Sequence, residues 1–544
     1  MRRVVLAALL GFALVACPRE TPQPPSPPVT ATQPASGPRD GGRVVRRVVS
    51  DVKTLNYVLQ SLEEERQVLA YLYDPLIDFD QNLNPIPATA TRWEILDSGK
   101  TYVLHLDPRA TFSDGTPVLA SDVVFTLHKI LDEESIQFSS WFENLDREKT
   151  IATDEHSLRI VFTKPRVGQL LSFNIGVLPE HVYGKGDFKK NTKVIGNGPY
   201  VLKARDRNRA ILLERREDYW REKPHIQSVL FRPIADDAVA LKALQRGDVD
   251  VAYVSNDEWF RIKDDPAIKA KIDFRTVWLQ SYNCILWNLS DPLFSDVRVR
   301  RALAMAFDRQ SVMEKLYYGQ ARPVTGPFTP DSWAADPSVL PIDYNPQGAA
   351  ALLSSAGWKD SNGDGILDRP SAKGIENFSF TLLIPSGSKT TSDQAQVYQD
   401  SLRAIGVQME IRAADGSAYF EEMTKRNYQA AFTAWVNEPD PDPYGLFHSS
   451  QMPPNGFNVV GYVNAEADSL MERGRAEFDP ARRADLYHEL HQIFARDQPY
   501  LFMVQVASKW AVNRRVHDVK TANGLGLFLW QPGPNGWWLE EAKR

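Results

Sequence analysis

The chain has 544 residues, with 63 Lys and Arg against 69 Asp and Glu, for a formal net charge of -6. That length is more than one hydrophobic core usually supports, so at least two folding units are expected, and the lack of a basic surplus argues against a nucleic-acid binder. Hydrophobic residues make up 43% and charged residues 24%, as in an ordinary globular protein, and with two cysteines, Cys17 and Cys284, no disulfide framework holds it together.

The chain opens as a targeting segment. Arg2 and Arg3 precede the apolar run Val4 to Ala16, which is short for a bilayer span. The run ends in Leu14-Val15-Ala16-Cys17, a tetrapeptide that resembles the bacterial lipobox, in which the cysteine is lipidated. Acyl chains there would hold residue 17 at a membrane surface without a transmembrane helix. Residues 18–42 are rich in Pro, Ser, Thr and Gly, and they have too little apolar mass to fold, so they read as an extended tether. Cys284, followed by Ile285, Leu286 and Trp287, reads as a buried structural thiol.

From Arg43 on, strand and helix patterns alternate with no second long linker. Thr101 to Leu106 alternates as a half-buried strand does, and Asp114-Gly115 marks a turn. Ser121 is placed to cap a helix with Val124, Leu127 and Leu131 on one face, and Ser295 to cap another carrying Val299, Leu303, Ala306 and Phe307 inward. Two βαβ-like units stand out. One runs Val229–Ile234, Asp236–Arg246, Gly247, Val249–Val254; the other runs Phe378–Ile384, Asp393–Ile405, Gly406, Val407–Ile411. Strands flanking a glycine-terminated helix favour parallel pairing under helical cover. One unit in each half suggests two α/β lobes. Gln429 to Trp435 reads as a further strand leading into the loop 436–444, and in open α/β sheets ligands bind beyond strand ends of this kind.

Catalytic motifs are missing. There is no GxxxxGK[ST] phosphate loop and no GxSxG elbow. His488-Glu489-Leu490-His491 is one residue short of HExxH and reads as a surface helix face. Asp360, Asn362, Asp364 and Gly365 match the start of a calcium loop, but position 12 is Ser371, so a polar connection is the favoured reading. No metal, cofactor or catalytic residue is assigned.

The mature chain resembles the family 5 extracellular solute-binding proteins along nearly its whole length. The resemblance is carried by Gly42 to Asn56, Arg66 to Asp80 with Tyr73-Asp74-Pro75-Leu76, and Asn84-Pro85 to Trp93. It continues through Phe112-Ser113-Asp114-Gly115-Thr116-Pro117 with Ser121 to Phe125, then Gly196-Asn197-Gly198-Pro199-Tyr200 with Glu214 to Trp220. Phe294 to Leu303, Ala356-Gly357-Trp358 and Tyr487 to Tyr500 complete it. The resemblance implies an α/β, two-lobed periplasmic-binding-protein-like fold of type II, with lobes joined by two hinge crossovers. Lobe I would span 43–278, with an extra subdomain at about 76–195, and lobe II 279–505; residues 506–544 would return to lobe I. It implies a non-enzymatic, monomeric, extracytoplasmic receptor in the periplasm or at the cell surface. The receptor would be lipid-anchored at Cys17 and would pass a small peptide to ABC permease subunits.

Peptide receptors of this family pair the ligand's amino terminus with an acidic residue after a tryptophan. Trp435 and Glu438 stand at those places, where the family usually carries aspartate, and Asp440 is a second candidate partner. An enclosed ammonium needs such a carboxylate. Trp435 is expected either to cover the ligand backbone or to pack in the core. On the residues alone, Asp440-Pro441-Asp442-Pro443 is equally a rigid solvent-exposed turn, and Asp442, Tyr282 and Asn283 are further candidate contacts near the cleft. A nickel chelate, haem or an oligosaccharide remains open as ligand on the same fold. Outside transport, the alternatives are a secreted hydrolase, for which no nucleophile–base pair is found, and a surface sensor or adhesin that feeds no transporter.

Overall fold

The computed structural model describes residues 37–540, except Glu134, Ile136, Gln137, Ala372, Lys373, Glu438, Pro439, Asn455, Asn523 and Leu525. Cys17, most of the tether and the candidate Glu438 therefore lie outside the described residues. From Arg39 onward the chain forms one compact unit.

Its backbone is a sheet of twelve strands. From one edge the order is Gln408–Ala414, Ser379–Pro385, Ala430–Val436, Ser281–Trp287 and Tyr500–Asn513; it then continues through Val251–Tyr253, Arg43–Val48, Ser228–Pro233, Ala210–Arg215 and Tyr200–Asp206. The strand Tyr500–Asn513 joins the two halves. Its first part pairs antiparallel with Ser281–Trp287 and Ala321–Pro323, and its last part, from Ala507, pairs with Ile272–Trp278 and Val251–Tyr253. The chain crosses between halves a second time at 279–280, between Ile272–Trp278 and Ser281–Trp287.

Both βαβ units form. Ser228–Pro233 and Val251–Tyr253 lie parallel on either side of Arg43–Val48, and the helix between them, Asp237–Arg246, is capped by Asp236. Ser379–Pro385 and Gln408–Ala414 pair directly in parallel. Gly247 and Gly406 end their helices at φ 81° and 80°, the left-handed region where a side chain is strained. The helix of the second unit begins at Lys389 rather than Asp393, because Ser388 accepts the Thr391 N–H and starts it a turn earlier.

Two capping expectations are corrected. The helix Ala120–Asp132 contains Ser121 inside it; the Asp122 carboxylate reaches back to the Leu119 N–H and moves the start forward. Its fully buried apolar face is accordingly Val123, Leu127 and Ile130. At Val297–Met305 the cap is Asp296, which accepts the Arg298 N–H, while Ser295 donates to the Pro292 carbonyl. Val299, Leu303, Ala306 and Phe307 are buried as expected.

The first half carries a four-stranded antiparallel sheet of Ala90–Leu96, Thr101–Leu106, Ser157–Val161 and Ile151–Ala152, backed by Ala120–Asp132. Tyr102, Leu104 and Leu106 join its core. In the second half, Ser281–Trp287 is buried on both faces. Ile285 and Trp287 enter one hydrophobic cluster, and Tyr282, Cys284 and Leu286 enter another, as the alternation of a central strand requires. Cys284 is a buried free thiol whose pKa burial pushes well above its ordinary value, so it is inert. Among the described residues, no helix is long and apolar enough to cross a membrane.

Candidate functional site

The strands Ser281–Trp287 and Ala430–Val436 pair antiparallel, setting Tyr282 opposite Trp435 and Ser281 opposite Val436. Their ends emerge at the 279–280 crossover. There the Asn437 N–H donates to the Gln280 carbonyl (2.6 Å) and the Asn437 side chain to the Pro327 carbonyl (2.8 Å). The crossover is held again by Gln505, which donates to the Leu279 carbonyl (2.7 Å), and by Thr329 on the Gln280 side chain (3.1 Å). The loop that leaves Trp435 therefore starts at the junction of the two halves.

Of the two readings of Asp440-Pro441-Asp442-Pro443, the solvent-exposed turn does not hold, because both carboxylates are buried. Both oxygens of Asp440 are taken by Arg483 of the helix Pro480–Asp497, each at 2.7 Å, with side chains only 8% and 7% exposed. Arg483 also donates to the Gly474 carbonyl and lies over the Trp333 and Tyr487 rings. Burial would lower its pKa, but Asp440 outweighs that and raises it. Asp442 accepts from Arg475 Nε (2.7 Å) and the Tyr444 N–H (3.1 Å), with Arg166 Nε at 3.6 Å. Burial raises the Asp442 pKa, and Arg475 and then Arg166 more than reverse it, so the carboxylate is ionised at neutral pH. Bidentate and paired arginines are what make two buried carboxylates tolerable on a three-residue stretch.

Trp435 is half-buried, packed on the second half's core with Phe457 6.3 Å away. Tyr282 is fully buried with its ring 6.0 Å from Phe502. Asn283 donates to the Tyr317 hydroxyl (3.0 Å), which also receives Gln394 (2.7 Å). Arg166, Arg475, Arg483 and Glu143 were not singled out from the sequence. Each lies far along the chain from the loop it serves, and a lone arginine on a helix carries no local signal.

The remaining sequence motifs resolve structurally. His491 is buried, not on a surface face. Its Nδ1 accepts the Asp336 N–H (2.9 Å), which leaves the proton on Nε2 facing Thr325 Oγ1 (3.0 Å), and burial pulls its pKa down to about 4. His488 meets the Trp333 carbonyl. Asp360 accepts the Gly363 and Gly365 N–H groups, and Asp368 the Ser361 N–H and hydroxyl, so these carboxylates serve the turn itself. Among the described residues, no group of three or more metal-type side chains converges. A separate cavity of about 310 Å³ opens in the second half beside Arg301, Arg309 and Arg496. The Arg309 guanidinium there is already spent on the Ile342, Phe502 and Met503 carbonyls.

Three comparisons bear on this arrangement. Residues 84–456 match the family model described as bacterial extracellular solute-binding proteins, family 5 Middle. The oligopeptide-binding protein AppA of Bacillus subtilis is 30% identical over 522 residues, covering 94% of each chain. The structure of that species' AppA in complex with a nonapeptide superposes with a TM-score of 0.79 at 28% identity, covering 92% of this chain and 100% of that one. NikZ of Campylobacter jejuni, solved with Ni(L-His), shares the fold at a TM-score of 0.79 and 22% identity, covering 91% and 99%. With the family's model spanning more than half its length and its two-lobed fold in place, this chain belongs to the bacterial extracellular solute-binding proteins, family 5.

Proposed function

We propose that this protein is the substrate-binding component of an ABC importer, capturing a peptide between its lobes and releasing it unchanged. The observation that carries this reading is the 30% identity to an oligopeptide-binding protein along 94% of both chains. Closure follows hinge logic. Lobe I is residues 43–278 plus 506–544, with its extra subdomain at about 76–195, and lobe II is 279–505. The lobes turn about 279–280 and 506–507, and the ligand supplies the differential contacts that favour the closed form.

Within the site, Glu438 is the partner for the peptide's ammonium, since the Asp440 and Asp442 carboxylates are engaged with arginines. Those two aspartates hold the loop from Asp440 onward. Trp435 covers the ligand backbone, and Tyr282 and Asn283 support the strand behind it. Cys17 carries the lipid that keeps the monomer at the outer face of a membrane, beside its permease subunits.

Mass spectrometry of ligand released from the purified protein, followed by calorimetry with synthetic di- to nonapeptides, tests the assignment. Heat with peptides is expected; heat only with a nickel chelate, haem or glycan would overturn it. Glu438→Gln should cost about 2–5 kcal/mol for peptides with a free amine and little for N-acetylated ones. Equal affinity before and after would remove Glu438 from the site.

A further inference from the structure

We propose that Asp442 and Arg475 of lobe II, with Arg166 and Glu143 of the lobe I subdomain, form a reversible latch between the lobes, separate from the two backbone crossovers. The proposal rests on the lobe assignment and closure reading above. Asp442 is 4% exposed and sits between two guanidinium groups from opposite lobes. Arg475 comes from the lobe II helix Ala465–Ala476 and bonds it at 2.7 Å; Arg166 comes from just before the lobe I turn of 3-10 helix Val167–Phe173 and stands 3.6 Å away. Arg475 crosses back to lobe I, where Glu143 lies 3.5 Å from it, and its guanidinium rests 3.9 Å over the Tyr444 ring. Charge therefore alternates across the seam: acid to base at Asp442–Arg166, and base to acid at Arg475–Glu143.

Two glycines let the seam close. A β-carbon on Gly168 would fall 2.5 Å from Asp440 Oδ2, and one on Gly99 would run into the ring of Phe478. Both contacts join the lobe I subdomain to lobe II.

The latch is reversible because opening does not strand the Asp442 carboxylate. Asp442 keeps Arg475 within its own lobe when Arg166 departs, so separating the lobes escapes the several kcal/mol of an orphaned buried carboxylate. Such a device biases the open–closed equilibrium modestly, and it lowers the work required of the ligand by the same factor.

The test is the double variant Arg166→Gln with Glu143→Gln in the full chain, which leaves the Asp442–Arg475 pair intact. Small-angle scattering would compare it with wild type, without ligand and against a titrated pool of synthetic di- to nonapeptides. The expected result is a larger radius of gyration without peptides. Compaction should need roughly tenfold more of the pool, at an unchanged Tm. Superposable curves for the two proteins without peptides would overturn the latch, as would a lowered Tm with unchanged dimensions, which marks a merely structural role. If neither protein responds to peptides, the peptide reading fails, while the peptide-free curves still decide the latch.

Discussion

The two seams between the lobes are built from different interactions. On the hinge side the backbone itself crosses. The strand Tyr500–Asn513 is shared by both halves, and Gln280, Asn437, Gln505 and Thr329 tie the second crossover down with short hydrogen bonds. Side chains add to this seam: Tyr318 stacks on Phe260 (4.1 Å, 9°) and donates to Asp257 (2.8 Å). At the other seam, the contacts among the described residues are made by side chains, Asp442 with Arg166, Arg475 with Glu143, and Phe478 over Gly99. Backbone pairing is lost only by unfolding, whereas ion pairs between side chains can part and be replaced by water once the groups are exposed, provided that no buried charge is left alone. A molecule with one seam of each kind can turn about the first and open at the second.

The largest effect is expected within lobe II. Asp440→Ala leaves Arg483 buried without its partner and should cost about 3–5 kcal/mol of stability by denaturant unfolding. A small loss accompanied by wider lobe separation would show that this pair belongs to the moving seam.

Next comes the hinge side. Lys509 is 1% exposed, held by Asn256 Oδ1 (2.7 Å) and the Ala507 carbonyl (2.9 Å), and burial pulls its pKa from 10.5 to about 8. Between these values the unfolded chain binds more protons than the folded one, so this residue makes stability rise with pH from about 8 to about 10. Below about 8 its charge is a standing cost. Lys509→Met should therefore stabilise the protein by on the order of 2 kcal/mol at neutral pH and abolish its share of the alkaline rise. Scattering dimensions should stay unchanged, because this seam does not separate.

The smallest effect in free energy is the most diagnostic for the second seam. Gly168→Val pushes a side chain against Asp440 and should weaken peptide affinity about tenfold, roughly 1.4 kcal/mol, with Tm held. A drop in Tm without a change in affinity would place Gly168 in the folded core of the subdomain instead.

Much of this architecture was legible because its signals are local. Gly247 and Gly406 mark helix ends by the backbone conformation that they alone adopt without strain. Alternation in Thr101–Leu106 reports a half-buried strand, and the apolar run Cys284–Trp287 reports a buried thiol. The caps at Ser121 and Ser295 were misjudged because neighbouring aspartates set the helix starts with a charged acceptor: Asp122 reaches back to the Leu119 N–H, and Asp296 takes the Arg298 N–H that Ser295 would have capped. In the loop, the Asp-Pro-Asp-Pro string reads equally as a ligand-facing segment or a solvent-exposed turn. Its burial depends on Arg483, Arg475 and Arg166, which lie far from it in the chain.

Taken alone, the sequence determined the family, the alternation of strands and helices, and the inertness of Cys284. All of these rest on residue type and short-range periodicity. Only the tertiary structure decided which carboxylates are already paired, that His491 is interior, and that the subdomain touches lobe II through an alternating set of charges. Those outcomes depend on long-range contacts, and the energy of a buried charge is set by whatever group the fold brings within about 4 Å of it.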